Sequence, residues 1–346
     1  MKTLVISPNW IGDAVMAQPL IALIKRFDPS GTIDAAAPAH IAPVMRAMPE
    51  IGEVLLARNM HGRLHLAQRW RFSRELRARG YDRCFILPNS LKSAIAPWLA
   101  GIPRRIGHRG EARNMFLTQV HDDGRAKAQP MVEFYAALAF EPRHPLPGRV
   151  PDPVLVRRPE AEHRAREKFG IRTDGPLVIL CPGAEFGPAK RWPARHYASL
   201  AGMVATEWPQ ATLLLLGSAS ERPLATEIAA LSGRAIRNLS GETSLDEALA
   251  LISQAQGVVS NDSGLMHVTA AYGRPQVAVF GSSDPRHTPP RSPRARIEWL
   301  HLDCSPCFER TCPLGHTNCL NHIEPSRVMA SLRGAMRFET APKPPH

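Results

Sequence analysis

The chain has 346 residues, 44% of them apolar and 21% charged, with 33 prolines that follow no period. That composition excludes a disordered or collagen-like chain, and the length suggests about two domains. No run of about eighteen apolar residues lacks a charge, so no transmembrane helix is expected. The formal charge is +12, and residues 1–150 hold most of the excess, with 21 basic and 12 acidic side chains. A basic half points to an anionic partner: nucleic acid, lipid headgroup or phosphorylated sugar.

The opening run MKTLVISPNWIGDAV reaches Asp13 without a small-residue cleavage pattern, so it reads as a buried first strand and not a signal peptide. Six cysteines without secretory context place the chain in a reducing cytosol. Strand-like and helix-like segments then alternate. Strands are expected at 2–7, 32–38, 53–57 and 81–88, with helices at 14–27, 41–48 and 64–79 between them. In the last helix, Leu66, Trp70 and Leu76 are expected to face inward.

Residues 141–159 contain six prolines and read as an extended linker. Beyond them the alternation restarts, with strands at 176–183, 211–218, 257–262 and 275–283. Helices are expected at 194–208, 221–231, 244–255 and 264–273. Ser244 and Glu247 form a capping-box pattern at the third of these. The expected fold is α/β: two Rossmann-like domains, 1–150 and 151–335, facing across a cleft, with a frayed tail at 336–346.

In such sheets, ligands bind beyond the carboxyl ends of the strands. The first turn, Ser7 to Asp13, lacks the G-x-G-x-x-G dinucleotide fingerprint. Asp13 is an N-cap by spacing, or a carboxylate able to act as general base. The turn from Pro182 to Pro193 presents Lys190 among small residues, as a surface lysine or a phosphate contact. Ser260 to His267 opens a helix, where Asp262 and Ser263 either cap or leave N–H groups for a diphosphate. Glu221 follows a strand, as a ribose contact or a helix-start carboxylate.

Seven arginines lie between Arg58 and Arg79, with His61 and His65, against the single acid Glu75. This is a solvated helix face or an anion-binding surface, continued by Lys92, Arg104, Arg105, Arg109 and Arg113. Cys304, Cys307, Cys312 and Cys319 form a cluster suited to structural zinc, with free thiols or disulfides as alternatives. Cys84 and Cys181 read as packing residues in strands.

The runs SPNWIGDAVMAQPL, LPNSLKSA, CPGAEFGPAKRWP, LLGSASE, NLSGETSL and SNDSGLMHVTAAYGRPQVAVFGSSDPRHTPP resemble the ADP-heptose:lipopolysaccharide heptosyltransferases. The pattern is nearest the heptosyltransferase II branch, and the resemblance runs from residue 1 to about residue 335. It implies a glycosyltransferase-B fold, with acceptor in the first domain and sugar nucleotide in the second. It also implies inverting transfer of L-glycero-D-manno-heptose from ADP-heptose to the first heptose of the lipopolysaccharide inner core. Heptosyltransferase I, or another member, is the alternative within the family. A basic nucleic-acid-binding protein is the alternative outside it.

By the same resemblance, Asp13 is the base and Lys190 holds the donor diphosphate. Glu185, Phe186, Glu221, Thr243, Asp262, Ser263, Gly264 and His267 complete the donor side. Asn9, Trp10, Asn89, Lys92, Arg109 and Arg113 are assigned to the acceptor. The sequence shows no D-x-D pair to hold a diphosphate-bound metal, so no catalytic cofactor is expected. Not every relative has the four-cysteine segment, so its role is read as structural. The implied partners are ADP-heptose, heptosylated Kdo-lipid A and an anionic membrane surface, with no nucleic acid. The implied location is cytoplasmic, peripheral at the inner membrane.

Overall fold

A computed structural model describes residues 1–57, 66–122, 129–146, 148–172, 174–233 and 236–337. The chain divides into two compact units, Met1–Val156 and Arg157–His346. The first contains β1 (Lys2–Ile6), α1 (Ile11–Met16), α2 (Gln18–Phe27), β2 (Thr32–Ala37), α3 (Ala42–Arg46) and β3 (Val54–Leu56). It continues with α4 (Leu66–Arg79), β4 (Arg83–Ile86), α5 (Leu91–Leu99), β5 (Arg104–His108), β6 (Gln119–His121) and α6 (Met131–Ala136). All pairings are parallel, and the sheet order is β3-β2-β1-β4-β5-β6.

The second unit begins with α7 (Pro159–Phe169), β7 (Leu177–Cys181), α8 (Ala194–Glu207), β8 (Thr212–Leu215), α9 (Arg222–Ser232) and β9 (Arg237–Asn238). It continues with α10 (Leu245–Ile252), β10 (Gly257–Asn261), α11 (Gly264–Ala271), β11 (Gln276–Val279), β12 (Ala295–Glu298), α12 (Asn318–Asn321) and α13 (Pro325–Arg337). Its parallel sheet runs β12-β11-β10-β7-β8-β9. Renumbered within the unit, this is the same order as in the first. The two units are therefore both doubly wound α/β sheets.

Helices on both faces explain why the strands read as unbroken apolar runs: LVILC of β7 is buried at all five positions. The second core joins Val178 and Leu180 to Trp192, Tyr197, Leu200 and Leu332. The first joins Leu4, Ile6, Phe72, Leu76, Cys84 and Ile86.

Four sequence expectations need correction. The helix expected at 14–27 is two, α1 and α2, meeting at Ala17 with Pro19 in the first turn of α2. Proline is tolerated there because the first-turn N–H groups have no partner within the helix. The expected linker does not stay extended to residue 159. Pro159 opens α7, which has Glu160 and Glu162 in its first turn and left-handed Gly170 at its end. Residues 151–156 pack on the first unit, where Val154 N–H donates to Gln18 Oε1 and Val156 N–H to the Ala47 carbonyl. Finally, Trp70 is 54% exposed while Leu76 is buried, so α4 does not bury the indole. Arg58, His61, Arg63, His65 and the tail beyond Arg337 lie outside the described residues.

Candidate functional site

The strand order of each sheet reverses beside its first strand. In the second unit, the loops after β7 and β10 meet at this switch point, where doubly wound sheets bind ligands. Lys190 comes from the first loop and Asp262 from the second. The Lys190 ammonium lies 2.5 Å from Asp262 Oδ2, with the carboxylate side chain 5% exposed and the lysine 17%. Ser283 Oγ donates to the same oxygen at 2.6 Å. Lys190 also lies 4.8 Å from the centre of the Phe186 ring, and Arg310 lies 5.4 Å from it. These are cation–π distances.

Asn261 fixes this arrangement. Fully buried, it accepts from Trp192 N–H and the Tyr197 hydroxyl and donates to the Pro182 carbonyl. The lysine loop is thereby tied to the end of β10. Beside Lys190 is a cavity of about 190 Å³, lined by Phe186, Ser283, Asp284, His287, Thr288 and Phe308.

Ser263 occupies the N-cap of α11 in extended conformation, but no side chain caps the helix. Asp262 is engaged with Lys190 and Ser283, so neither residue does the capping that spacing alone allowed. The first N–H groups and positive dipole end of α11 suit an anion. Gly264 begins that helix, and His267, one turn on, is buried. Burial pushes the imidazole down to about 4; the Asp262 charge opposes this and Lys190 adds to it. His267 is thus a neutral packing histidine beside the ion pair near neutral pH.

Glu221 lies over the carboxyl ends of β7 and β8. A Cβ on Gly183 would meet its Oε1 at 1.9 Å, so the strand end must be glycine while the carboxylate stays there. Glu221 also forms a capping box with Ser218, whose N–H donates to it at 2.7 Å. Thr243 stands half-buried on the turn before α10, and Glu185 is exposed.

In the first unit the switch point is between β1 and β4. A cavity of about 230 Å³ opens there, lined by Ser7 and Asn9 after β1 and by Ser90, Lys92 and Ser93 after β4, with Arg69 and Glu111. Asp13 is half-buried and is the third residue of α1, whose N-cap is Trp10. Asp13 is therefore not the cap. The buried Tyr135 of α6 hydrogen-bonds the Asp13 carboxylate; burial, then that charge and bond, hold the phenol well above its ordinary pKa. The sequence reading missed Tyr135, since nothing within its own segment marks it.

Asn9 and Lys92 line this cavity, whereas Trp10 and Arg109 are exposed outside its lining. Arg113 is fully buried and donates to the carbonyls of His108 and Pro88 and to Asn89 Oδ1. It is a strut for the loop holding Asn89, so the expected exposed charge for a ligand is not there.

All six cysteines are free thiols. Cys304, Cys307, Cys312 and Cys319 line one small cavity of about 20 Å³ with His316. Among the described residues, no three His, Cys, Asp or Glu side chains are set to hold a metal ion, so the expected zinc geometry is not assembled. The Cys312 thiol is instead held below its ordinary pKa by the nearby backbone N–H groups of Thr317, Leu314, Gly315 and His316.

The family model for glycosyltransferase family 9 (heptosyltransferase) matches residues 69–318. The chain belongs to glycosyltransferase family 9. This heptosyltransferase chain is 40% identical to lipopolysaccharide heptosyltransferase 2 of Escherichia coli K12, over 99% of its own length and 100% of that protein's. It is also 40% identical to lipooligosaccharide heptosyltransferase 2 of Haemophilus influenzae, covering 86% and 88% of the two chains. The solved structure of E. coli ADP-heptose lipopolysaccharide heptosyltransferase II superposes with a TM-score of 0.87 and 38% identity, covering 99% of this chain and 100% of that one. The chain is a glycosyltransferase of the glycosyltransferase-B type, and its membership removes the ground for the nucleic-acid alternative.

Proposed function

We propose that this family 9 enzyme is a heptosyltransferase II: it transfers L-glycero-D-manno-heptose from ADP-heptose to the first heptose of heptosylated Kdo-lipid A. The observation that carries the reading is the Lys190–Asp262–Ser283 cluster at the switch point of the second unit, beside a cavity and an uncapped helix start. A buried carboxylate that fixes a lysine gives a preorganised cation for a leaving diphosphate.

Two chemical roles are needed, and each unit carries residues suited to one. Asp13 takes the proton from the acceptor hydroxyl as its oxygen attacks the anomeric carbon. The bond from that carbon to the diphosphate oxygen breaks, and ADP leaves with the electron pair. One displacement inverts the anomeric centre. Lys190 and the first N–H groups of α11 take up the charge on the diphosphate. With these donors and no D-x-D pair in the sequence, the reading needs no catalytic metal. Tyr135 orients Asp13. The enzyme would work as a peripheral protein at the cytoplasmic face of the inner membrane, where a lipid-anchored acceptor is found.

The test is ADP release from ADP-heptose with two acceptors, Kdo-lipid A with and without its first heptose. Turnover with the heptosylated acceptor alone is expected. Turnover with the bare acceptor alone would move the enzyme to the first transfer, and turnover with neither would overturn the acceptor class.

A further inference from the structure

One face of the first unit carries large apolar side chains that its own fold leaves uncovered. Helices α4 and α5 pack side by side: Arg69 on α4 donates to the Lys92 carbonyl at the start of α5, and Arg77 to the Leu99 carbonyl at its end. Trp98 on α5 is 46% exposed and meets Phe116 edge-on at 5.1 Å. Phe116 ends a short helical turn, Asn114–Phe116, whose Met115 is 78% exposed. Trp70 is uncovered on α4, with the Arg74 guanidinium 5.0 Å from its ring.

Charge on this layer is lopsided. Residues 66–117 hold eleven basic side chains, of which Arg69 and Arg113 are buried, and three acidic ones, Glu75, Asp82 and Glu111. Arg71, Arg74 and Arg77 are exposed on α4, and its one acid, Glu75, pairs with Arg79 at 3.5 Å. Helix α5 has no acidic residue. Tryptophan and methionine beside arginine suit the boundary between lipid headgroups and acyl chains, where ring and thioether are buried and guanidinium meets phosphate. A second copy of the same face would bring arginines against arginines. The charge therefore favours an anionic surface as occupant. Among the described residues no helix is long and apolar enough to cross a bilayer, so attachment through them would be to its surface.

We propose that the face formed by Trp70, Arg71, Arg74, Trp98 and Met115 docks the enzyme onto a bilayer bearing anionic headgroups. This deepens the reading above, since it rests on the acceptor being lipid-anchored. Docking there holds the first unit at the surface from which the acceptor rises. It also explains why α4 exposes an indole that helical spacing alone would bury.

Flotation of the full chain with vesicles tests this, using phosphatidylcholine alone and an equal mixture with phosphatidylglycerol. Binding to the mixed vesicles, weakened by salt, is expected. Trp98→Ser with Met115→Ser should lower vesicle affinity about tenfold, and Arg71→Glu with Arg74→Glu should do the same and flatten the salt dependence. Both variants should keep their turnover on a delipidated acceptor. Wild-type chain that fails to float, or variants that float as well as wild type, would overturn the proposal. So would a wild-type dimer in sedimentation that the Trp98 and Met115 changes dissolve, because the face would then belong to a second copy. The vesicles contain no acceptor. Flotation without heptose transfer would therefore count against the proposed reaction, and transfer without flotation against the docking face.

Discussion

The two units use one strand order and place different chemistry at the same point in it. In both sheets the loops after the first and fourth strands of the unit meet. In the first unit these loops border an open cavity with serine, asparagine and lysine on its wall, and Asp13 stands on the helix after β1. In the second they close on an ion pair between part-buried Lys190 and buried Asp262, with Asn261 at the end of β10 bonded to the backbone of the lysine loop. The fold supplies the place, and the loops supply the function. The difference is physical as well as chemical. The Asp262 carboxylate is buried and has already lost its water, so it holds the lysine in place before ligand arrives. An open polar cavity keeps its water and suits a larger, more variable ligand.

Substitution at each switch point should separate these roles, and the largest effect belongs to the first unit. Asp13→Asn keeps the shape of the side chain and removes the base. Its kcat should fall by about 10²–10⁴-fold, with affinity for ADP-heptose unchanged by calorimetry. Lys190→Ala should weaken donor binding and turnover together, by about 10–100-fold. If Asp13→Asn weakened donor binding, or Lys190→Ala left it intact, the assignment of one role to each unit would fail.

The buried histidines extend the comparison to stability. Burial holds His108 in the first unit and His267 in the second at about 4, below the usual value near 6.5. His108 also bonds the Phe134 carbonyl at 2.9 Å and stacks on that ring. A histidine with a lowered folded pKa is neutral when native, and the unfolded chain takes up its proton first as pH falls. Its contribution is therefore present above about 6.5 and lost on descent towards 4. Each histidine should cost roughly 2 kcal/mol by about pH 5. Urea unfolding of His108→Gln and His267→Gln at neutral and mildly acid pH measures this. Each variant should lose part of the acid sensitivity. An unchanged pH slope in either would remove that histidine from the account.

What could be read in sequence follows from how local the cause is. The capping box at Ser244 and Glu247 is a four-residue pattern and forms as expected. The apolar runs of β7 and β10 announce strands because both faces are covered. Lys190 and Asp262 stand out in their loops, but their ion pair spans 72 positions and no spacing rule gives it. Asn261 and Tyr135 likewise act through partners far along the chain, so no local pattern marks them as fixing residues. Pro159 misled because proline reads as a breaker, whereas at a first helical position it is favoured. Trp70 misled because helical spacing counts an indole as core, and only the packed structure shows it uncovered.

The smallest effect concerns the cysteines, and it sharpens the same contrast between buried strand and shaped loop. Cys84 in β4 and Cys181 in β7 are buried, and burial pushes both thiols far above their ordinary range. Cys319 is pushed to about 11 by burial and by the neighbouring thiols Cys304, Cys307 and Cys312. The Cys312 thiol is lowered, by the backbone N–H groups near it. Thiolate is the nucleophile, so alkylation rate follows the fraction deprotonated. Iodoacetamide in native buffer, followed by peptide mass spectrometry, should label Cys312 ahead of Cys319, and leave Cys84 and Cys181 unmodified until unfolding. A metal drawn into the loop would abolish this order by masking Cys304, Cys307, Cys312 and Cys319 together. Protection of all four that a chelator abolishes would show that the thiols gather round an ion, an arrangement the metal itself completes.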